Sequence, residues 1–145
     1  MKKAISIVLA VLMAVSIVYV YKKDSEWKNN TYSMAKLISL DKSIEGDKIA
    51  TVGWLSRPPG EGMNLYFSEQ DMQSSIILNS AFVKLRENSS EIYEFIKEGK
   101  LCRVKGVYEI YSGSAFLVDA DYVLCGNVIF EWSLEKNVWL KRVTN

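Results

Sequence analysis

The chain has 145 residues, with 18 basic and 17 acidic side chains, two cysteines and no histidine. That length leaves room for one membrane segment and one small single-core domain. The missing histidine removes Ser-His-Asp and Cys-His catalysis together with the commonest metal ligand, and two cysteines alone cannot close a zinc site. No cofactor and no catalytic set is therefore expected. With Lys2 and Lys3 set aside, 16 basic residues face 17 acidic ones. They alternate along the chain as on an ordinary solvated surface. Nucleic-acid binding normally needs a basic face to neutralise phosphates, so a nucleic-acid partner is not expected.

Residues Ala4 to Tyr21 form an uncharged apolar run between Lys3 and Lys22. At about 1.5 Å per residue such a helix spans about 27 Å, close to the thickness of a bilayer's hydrocarbon core. Tyr19 and Tyr21 fall at its far end, where aromatic rings favour the interface. The rival is a cleaved export signal. Ala14-Val15-Ser16 has small residues at cleavage spacing, but the apolar run continues past it and no small-residue site follows. A lipoprotein is excluded because no cysteine lies near the run. The reading is a signal anchor over 4–21 followed by a polar tether over 22–32. Lysines flank both ends of the run, so the positive-inside rule is nearly balanced. The short leader favours a domain outside the cytoplasm.

The domain is expected over 33–125. Ser33 to Glu45 fits a short strand or helical turn, then a second turn around Asp41 to Ile44. Strand one is Lys48 to Ser56, with Ile49, Thr51, Gly53 and Leu55 on one face. Arg57-Pro58-Pro59-Gly60-Glu61-Gly62 must be a loop. Asn64 to Ser68 and Ser74 to Asn79 read as strands around a polar turn at Glu69 to Gln73, and a further turn around Ala81 to Leu85 leads into a helix. Asn88 stands at its N-cap with Glu91 at capping-box spacing; Ile92, Phe95 and Ile96 form the apolar stripe, and Gly99 ends it.

A second strand built like the first follows, Cys102-Arg103-Val104-Lys105-Gly106-Val107-Tyr108, again with a central glycine. A mid-strand glycine marks a bulge, sharp coiling or close backbone approach. Pairing Tyr111 with Ala115 across Ser112-Gly113-Ser114 gives a three-residue hairpin turn. In that register Tyr108 faces Val118, Gly106 faces Ala120 and Cys102 faces Leu124. A disulfide between Cys102 and Cys125 then needs a bulge or an end to regular pairing near Asp121 to Cys125, and the sequence leaves the bond open. The tail 126–145 is a further hairpin or a loosely packed arm.

Strand, loop, hairpin, helix, hairpin is the element order of an OB-fold. More narrowly, Gly46-Asp47-Lys48-Ile49…Gly53-Trp54-Leu55 followed by Asn64-Leu65-Tyr66-Phe67-Ser68 resembles a group of uncharacterised bacterial OB-like proteins, similar to anticodon-binding domains. The resemblance covers roughly Leu37 to Val123. It departs at the inserted Asp47, at the Arg57-Pro58-Pro59 loop and in the Trp-containing tail. It implies a mainly β, five-stranded OB-fold-like barrel with one capping helix, in which the first strand neighbours the fourth. Taken with the apolar leader, the reading is a bacterial inner-membrane protein with its domain on the periplasmic side, a cleaved and secreted form being the alternative. Membrane-anchored OB domains that carry haem attach it through histidine, which this chain lacks.

In OB-folds ligands commonly bind near the first strand and its loop, so Trp54, Arg57, Tyr66 and Phe67 are the candidate ligand-binding residues. Asp119 and Asp121, two apart on a strand, are a candidate cation or acid-base pair, with a solvated strand edge as the ordinary alternative. The leading expectation is a membrane-anchored, non-enzymatic binding or interaction module whose ligand or protein partner the sequence does not identify. The alternatives are an exported inhibitor or immunity-type protein acting through the Arg57 to Gly62 loop, and a nucleic-acid-binding OB domain.

Overall fold

The computed structural model describes residues 30–57 and 62–144. The expected transmembrane segment 4–21, the tether up to residue 29 and residues 58–61 of the proline loop lie outside these. The compact unit Tyr32–Asn145 contains α1 (Met34–Ile38), β1 (Lys48–Ser56), β2 (Met63–Tyr66), α2 (Glu69–Gln73), β3 (Ser80–Leu85), α3 (Ser90–Phe95), β4 (Lys100–Tyr111), β5 (Ser114–Cys125), β6 (Val128–Ser133) and β7 (Val138–Val143). Antiparallel pairing links β1 to β2, β2 to β3, β4 to β5 and β4 back to β1, while β3 and β5 run parallel. The result is a closed five-stranded barrel in a mainly β domain. The hairpin β6–β7 continues the sheet from β5.

The two glycine-centred strands lie side by side, with Gly53 opposite Cys102 and Ile49 opposite Gly106. Both glycines mark close approach of a neighbouring backbone. A Cβ on Gly53 would stand 2.6 Å from the carbonyl oxygen of Tyr66, and one on Gly106 would stand 2.9 Å from that of Val118. Ordinary carbon–oxygen contact needs more room than either, so the strand coils where glycine permits it.

The β4–β5 register differs from the one read off the sequence. The turn has two residues, not three: Tyr111 faces Ser114, and Ser112 and Gly113 both have positive φ, at 49° and 75°. This is the backbone of a type I′ loop, whose twist matches the flanking strands. The pairing Val107 with Val118 then gives way to Lys105 with Tyr122, so Asp119, Ala120 and Asp121 together oppose Gly106. Asp119 adopts φ 49° in this bulge. On one side of the bulge β5 pairs with β3, and on the other it pairs with β6. The bulge is thus where the strand leaves the barrel and starts the extension.

Inward-facing Ile49, Leu55, Leu65, Ala81, Val104, Tyr108, Leu117 and Val123 fill the core, and Met34 and Leu37 of α1 pack against them. Ser33 caps α1 by accepting from the Lys36 N–H, and Asp41 caps the 3-10 turn Lys42–Ile44. Buried Tyr108 donates its hydroxyl to the Leu37 carbonyl at 2.8 Å, tying the helix to β4.

Three local expectations are corrected. The third strand is Ser80–Leu85, where Ala81, Val83 and Leu85 alternate inward, and not Ser74–Asn79. Glu69–Gln73 is a helix capped by Ser68, after which Ser75 at φ 52° and a 3-10 turn at Ile77–Asn79 break the chain direction. Asn88 is not the N-cap of α3. It sits at φ 57°, the helix starts at Ser90, and Ser89 flanks it with no side-chain cap bond. Ile92 and Ile96 are fully buried and Gly99 follows the helix at φ 79°, as the stripe requires. In the tail, Trp139 Nε1 donates to the carbonyls of Arg86 and Glu87, and Lys141 pairs with Glu91. These contacts fasten the β6–β7 hairpin to the start of α3.

Candidate functional site

The β4–β5 hairpin opens at Lys100–Cys102 and Cys125, and beside this open end lies a cleft of about 480 Å³. Its walls are Trp54, Phe95, Lys100, Leu101, Cys125 and Val128, joined by the Gly126–Asn127 turn. The volume falls within the roughly 300–1,000 Å³ usual for ligand sites. Each wall has a local cause. Trp54 follows Gly53 on β1 and pairs with Leu101 of β4 and Tyr66 of β2, so the barrel fixes its position. Phe95 ends α3 with its ring 5.3 Å from that of buried Phe130. Gly99 turns the chain at φ 79°, a conformation that L side chains rarely adopt, and Lys100 follows it at the cleft rim.

Cys102 and Cys125 face each other across the hairpin and are joined in a disulfide, with Cα atoms 4.2 Å apart. The bulge at Asp119–Asp121 makes this pairing possible: the register set by the two-residue turn would place Val123 opposite Cys102, and the bulge advances β5 by two residues so that Cys125 stands there instead. Both sulfurs are buried, and Cys125 contributes to the cleft wall. The cleft is mainly apolar and carries one charged side chain among its described lining residues, Lys100. Its ammonium lies 5.0 Å from the Phe95 ring centroid, a cation–π contact. An aromatic, an aliphatic wall and one cation suit capture of an apolar group with an acceptor beside it.

Of the four expected ligand-binding residues, Trp54 lines this cleft. Arg57 is exposed, with its guanidinium 4.4 Å from the Tyr93 ring centroid. Tyr66 is fully buried, in the strand that α2 packs against, and offers no ring to a ligand. Phe67 is 53% exposed but lies by the β2–β3 connection, its N–H donating to the Asn79 carbonyl. Asp119 stands exposed in the bulge, and Asp121 pairs with Lys48 at 2.5 Å. The bulge breaks the face the two carboxylates were expected to share. Among the described residues no cluster of three metal-binding side chains occurs.

Sequence reasoning missed Phe95, Lys100, Leu101 and Val128 as cleft residues. Gly99 ahead of Lys100 read as a helix stop, and only the tertiary pairing brings Lys100 into the same cleft as Trp54. Elsewhere, Asp71 holds its carboxyl below the usual range because the Ser68 hydroxyl and then the Asn79 amide donate to it. Fully buried Asn64 has neither amide atom hydrogen-bonded. No family model matches the chain, and no curated protein or solved structure is significantly similar to it.

Proposed function

We propose that this chain is a membrane-anchored, extracytoplasmic binding module on an OB-fold-like barrel, and that it captures a protein partner at the Trp54 cleft. The circuit β1-β2-β3-β5-β4 back to β1, with α3 between the third and fourth strands, supports the fold reading. The apolar run Ala4 to Tyr21 supports the anchor, and the cross-strand disulfide supports an oxidising compartment. The observation that carries the binding role is the cleft itself: an apolar hollow of suitable volume, with Trp54 in its wall and exposed Leu101 at its rim. Buried aromatic anchors surrounded by water-excluding aliphatic groups dominate protein capture energetics.

A photo-cross-linking side chain at Leu101, in the full chain in intact membranes, tests this. A discrete adduct is expected from Leu101 and none from Glu135 at the far turn. Trp54→Ala should reduce the adduct by roughly tenfold or more, the loss typical of an aromatic hot spot. Equal cross-linking from both positions, or an adduct indifferent to Trp54→Ala, refutes the assignment.

A further inference from the structure

The sheet runs in the order β3-β2-β1-β4-β5-β6-β7 and closes on itself where β3 meets β5. That closure leaves β7 as the terminal strand, and among the described residues no strand pairs with its far side. The Thr144 N–H donates to the Asn127 carbonyl, which fixes the phase of the β6–β7 ladder. Counting back through the register, Arg142, Leu140 and Val138 bond inward to β6. Trp139, Lys141 and Val143 therefore turn their backbone N–H and C=O groups outward. Such an edge is a template for a further strand. Lysine normally blunts an edge, but Lys141 is paired with Glu91 at 2.7 Å and Arg142 with Glu131. Between these paired charges the strand is apolar, with Val138, Leu140 and Val143 all exposed.

We infer that two copies of this chain pair antiparallel through β7, with the two-fold axis at Leu140. Self-complementarity selects both the occupant and the register. Outward groups bond only where Trp139, Lys141 and Val143 oppose members of that same set, so few registers are allowed. With Leu140 facing Leu140 of the second copy, Trp139 faces Lys141 and Val138 faces Arg142. Trp139 and Lys141 then exchange both backbone bonds on each side of the axis. The alkyl stem of each lysine lies against an indole, and no like charges meet. Sliding the second copy one allowed step sets Lys141 against Lys141, and a second step sets Arg142 against Arg142, both repulsive. Registers centred on Trp139 or Val143 keep a single bonded pair, because Asn137 at φ 52° and Thr144 lie outside the strand. The Leu140 register therefore makes the most backbone bonds without opposing like charges. Since β7 is the terminal strand of each sheet, the pairing consumes both edges and stops at two chains.

The test places single cysteines in the full chain, purified in detergent, where Cys102 and Cys125 are already disulfide-bonded. Leu140 and its counterpart form a pair without mutual backbone bonds, whose Cα atoms lie about 4.5 Å apart, within disulfide reach. Under mild oxidant, Leu140→Cys should give roughly tenfold or more linked dimer than Leu134→Cys, an exposed turn position whose counterpart lies beyond disulfide reach. Val138→Cys should link to Arg142→Cys in a mixture, and neither should link to itself. Lys141→Pro removes an outward N–H and no bond of the β6–β7 ladder. It should abolish the Leu140→Cys product with the circular dichroism unchanged; if that signal is lost, the cysteine arms decide alone. Linking at Leu140 no better than at Leu134 overturns the inference, as does a Leu140→Cys product that survives Lys141→Pro in a folded chain. Self-linking of Arg142→Cys overturns the register. A chain that is single by light scattering and unlinked at Leu140 overturns the pairing in favour of a strand from another protein.

Discussion

Reducing the Cys102–Cys125 bond tests the account of the hairpin most directly, because it leaves every atom but the cross-link in place. The bond closes a loop with a sequence separation of 23 residues. Loop-closure entropy then assigns it about 3.4 kcal/mol at 25 °C through restriction of the unfolded chain. For the unit Tyr32–Asn145, with an unfolding entropy of about 2.1 cal/mol/K per residue, this corresponds to a fall in Tm of about 14 °C on reduction. The assay is urea and thermal unfolding of the full chain in detergent, oxidised and after dithiothreitol, followed by near- and far-ultraviolet circular dichroism. The reduced chain should also show a larger urea m-value, because its unfolded state exposes more surface. Unfolding midpoints that agree within about 0.5 kcal/mol would refute the reasoning. So would two free thiols in chain prepared without reductant, since the bulge that aligns the cysteines would then have no covalent consequence.

Gly53→Ala drives a methyl against the Tyr66 carbonyl, which cannot swing aside, and should cost about 1–3 kcal/mol in urea unfolding. An unchanged midpoint would show that β2 does not approach β1 so closely. Tyr108→Phe removes the buried hydroxyl that donates to the Leu37 carbonyl, which keeps only the Leu40 N–H, and should cost about 1 kcal/mol. Burial first, then Asp41 and Glu45, raise the Tyr108 pKa above its ordinary 10.0. The protonated phenol therefore stabilises the fold fully below pH 10.0, and that contribution is lost as pH rises through the raised folded value. The phenylalanine variant should lose less stability between pH 9 and 12, and parallel alkaline limbs would count against the assignment. Asp71→Asn is the acid counterpart. Its lowered folded pKa makes the contribution complete above the unfolded 3.8 and lost as pH falls through the folded value, so the variant should show a flatter stability profile from pH 5 to 2. Asn64→Leu removes a buried amide with no hydrogen bonds and should stabilise the chain by about 1 kcal/mol; destabilisation would mean that the amide is satisfied.

Much of this fold is local enough to read in one dimension. Lys48–Ser56 was legible to the residue, because a glycine and alternating apolar side chains leave no competing period. Ile92 and Ile96 were legible as core, being spaced on one helical face. The third strand was not. Ile76-Ile77-Leu78 is more apolar than Ser80–Leu85, and a reading by hydropathy prefers it. Position decides otherwise: Ser75 in the left-handed region throws those three residues to the surface, and Ala81, Val83 and Leu85 meet β2 and β5. Likewise Trp54 could be singled out as a candidate, whereas Phe95 and Lys100 join it only through the pairing of β1 with β4 and the turn at Gly99.

The sequence by itself determined the first strand, the helix stripe before Gly99, the two close-approach glycines and the absence of histidine chemistry, because each is a property of one residue or one short period. Tertiary structure alone decided whether the two cysteines meet. A bulge shifts every later pair along β5, and no local pattern around Asp119 announces that three residues there will face one glycine. The same shift takes β5 from β3 to β6 and opens the hairpin end where the Trp54 cleft lies.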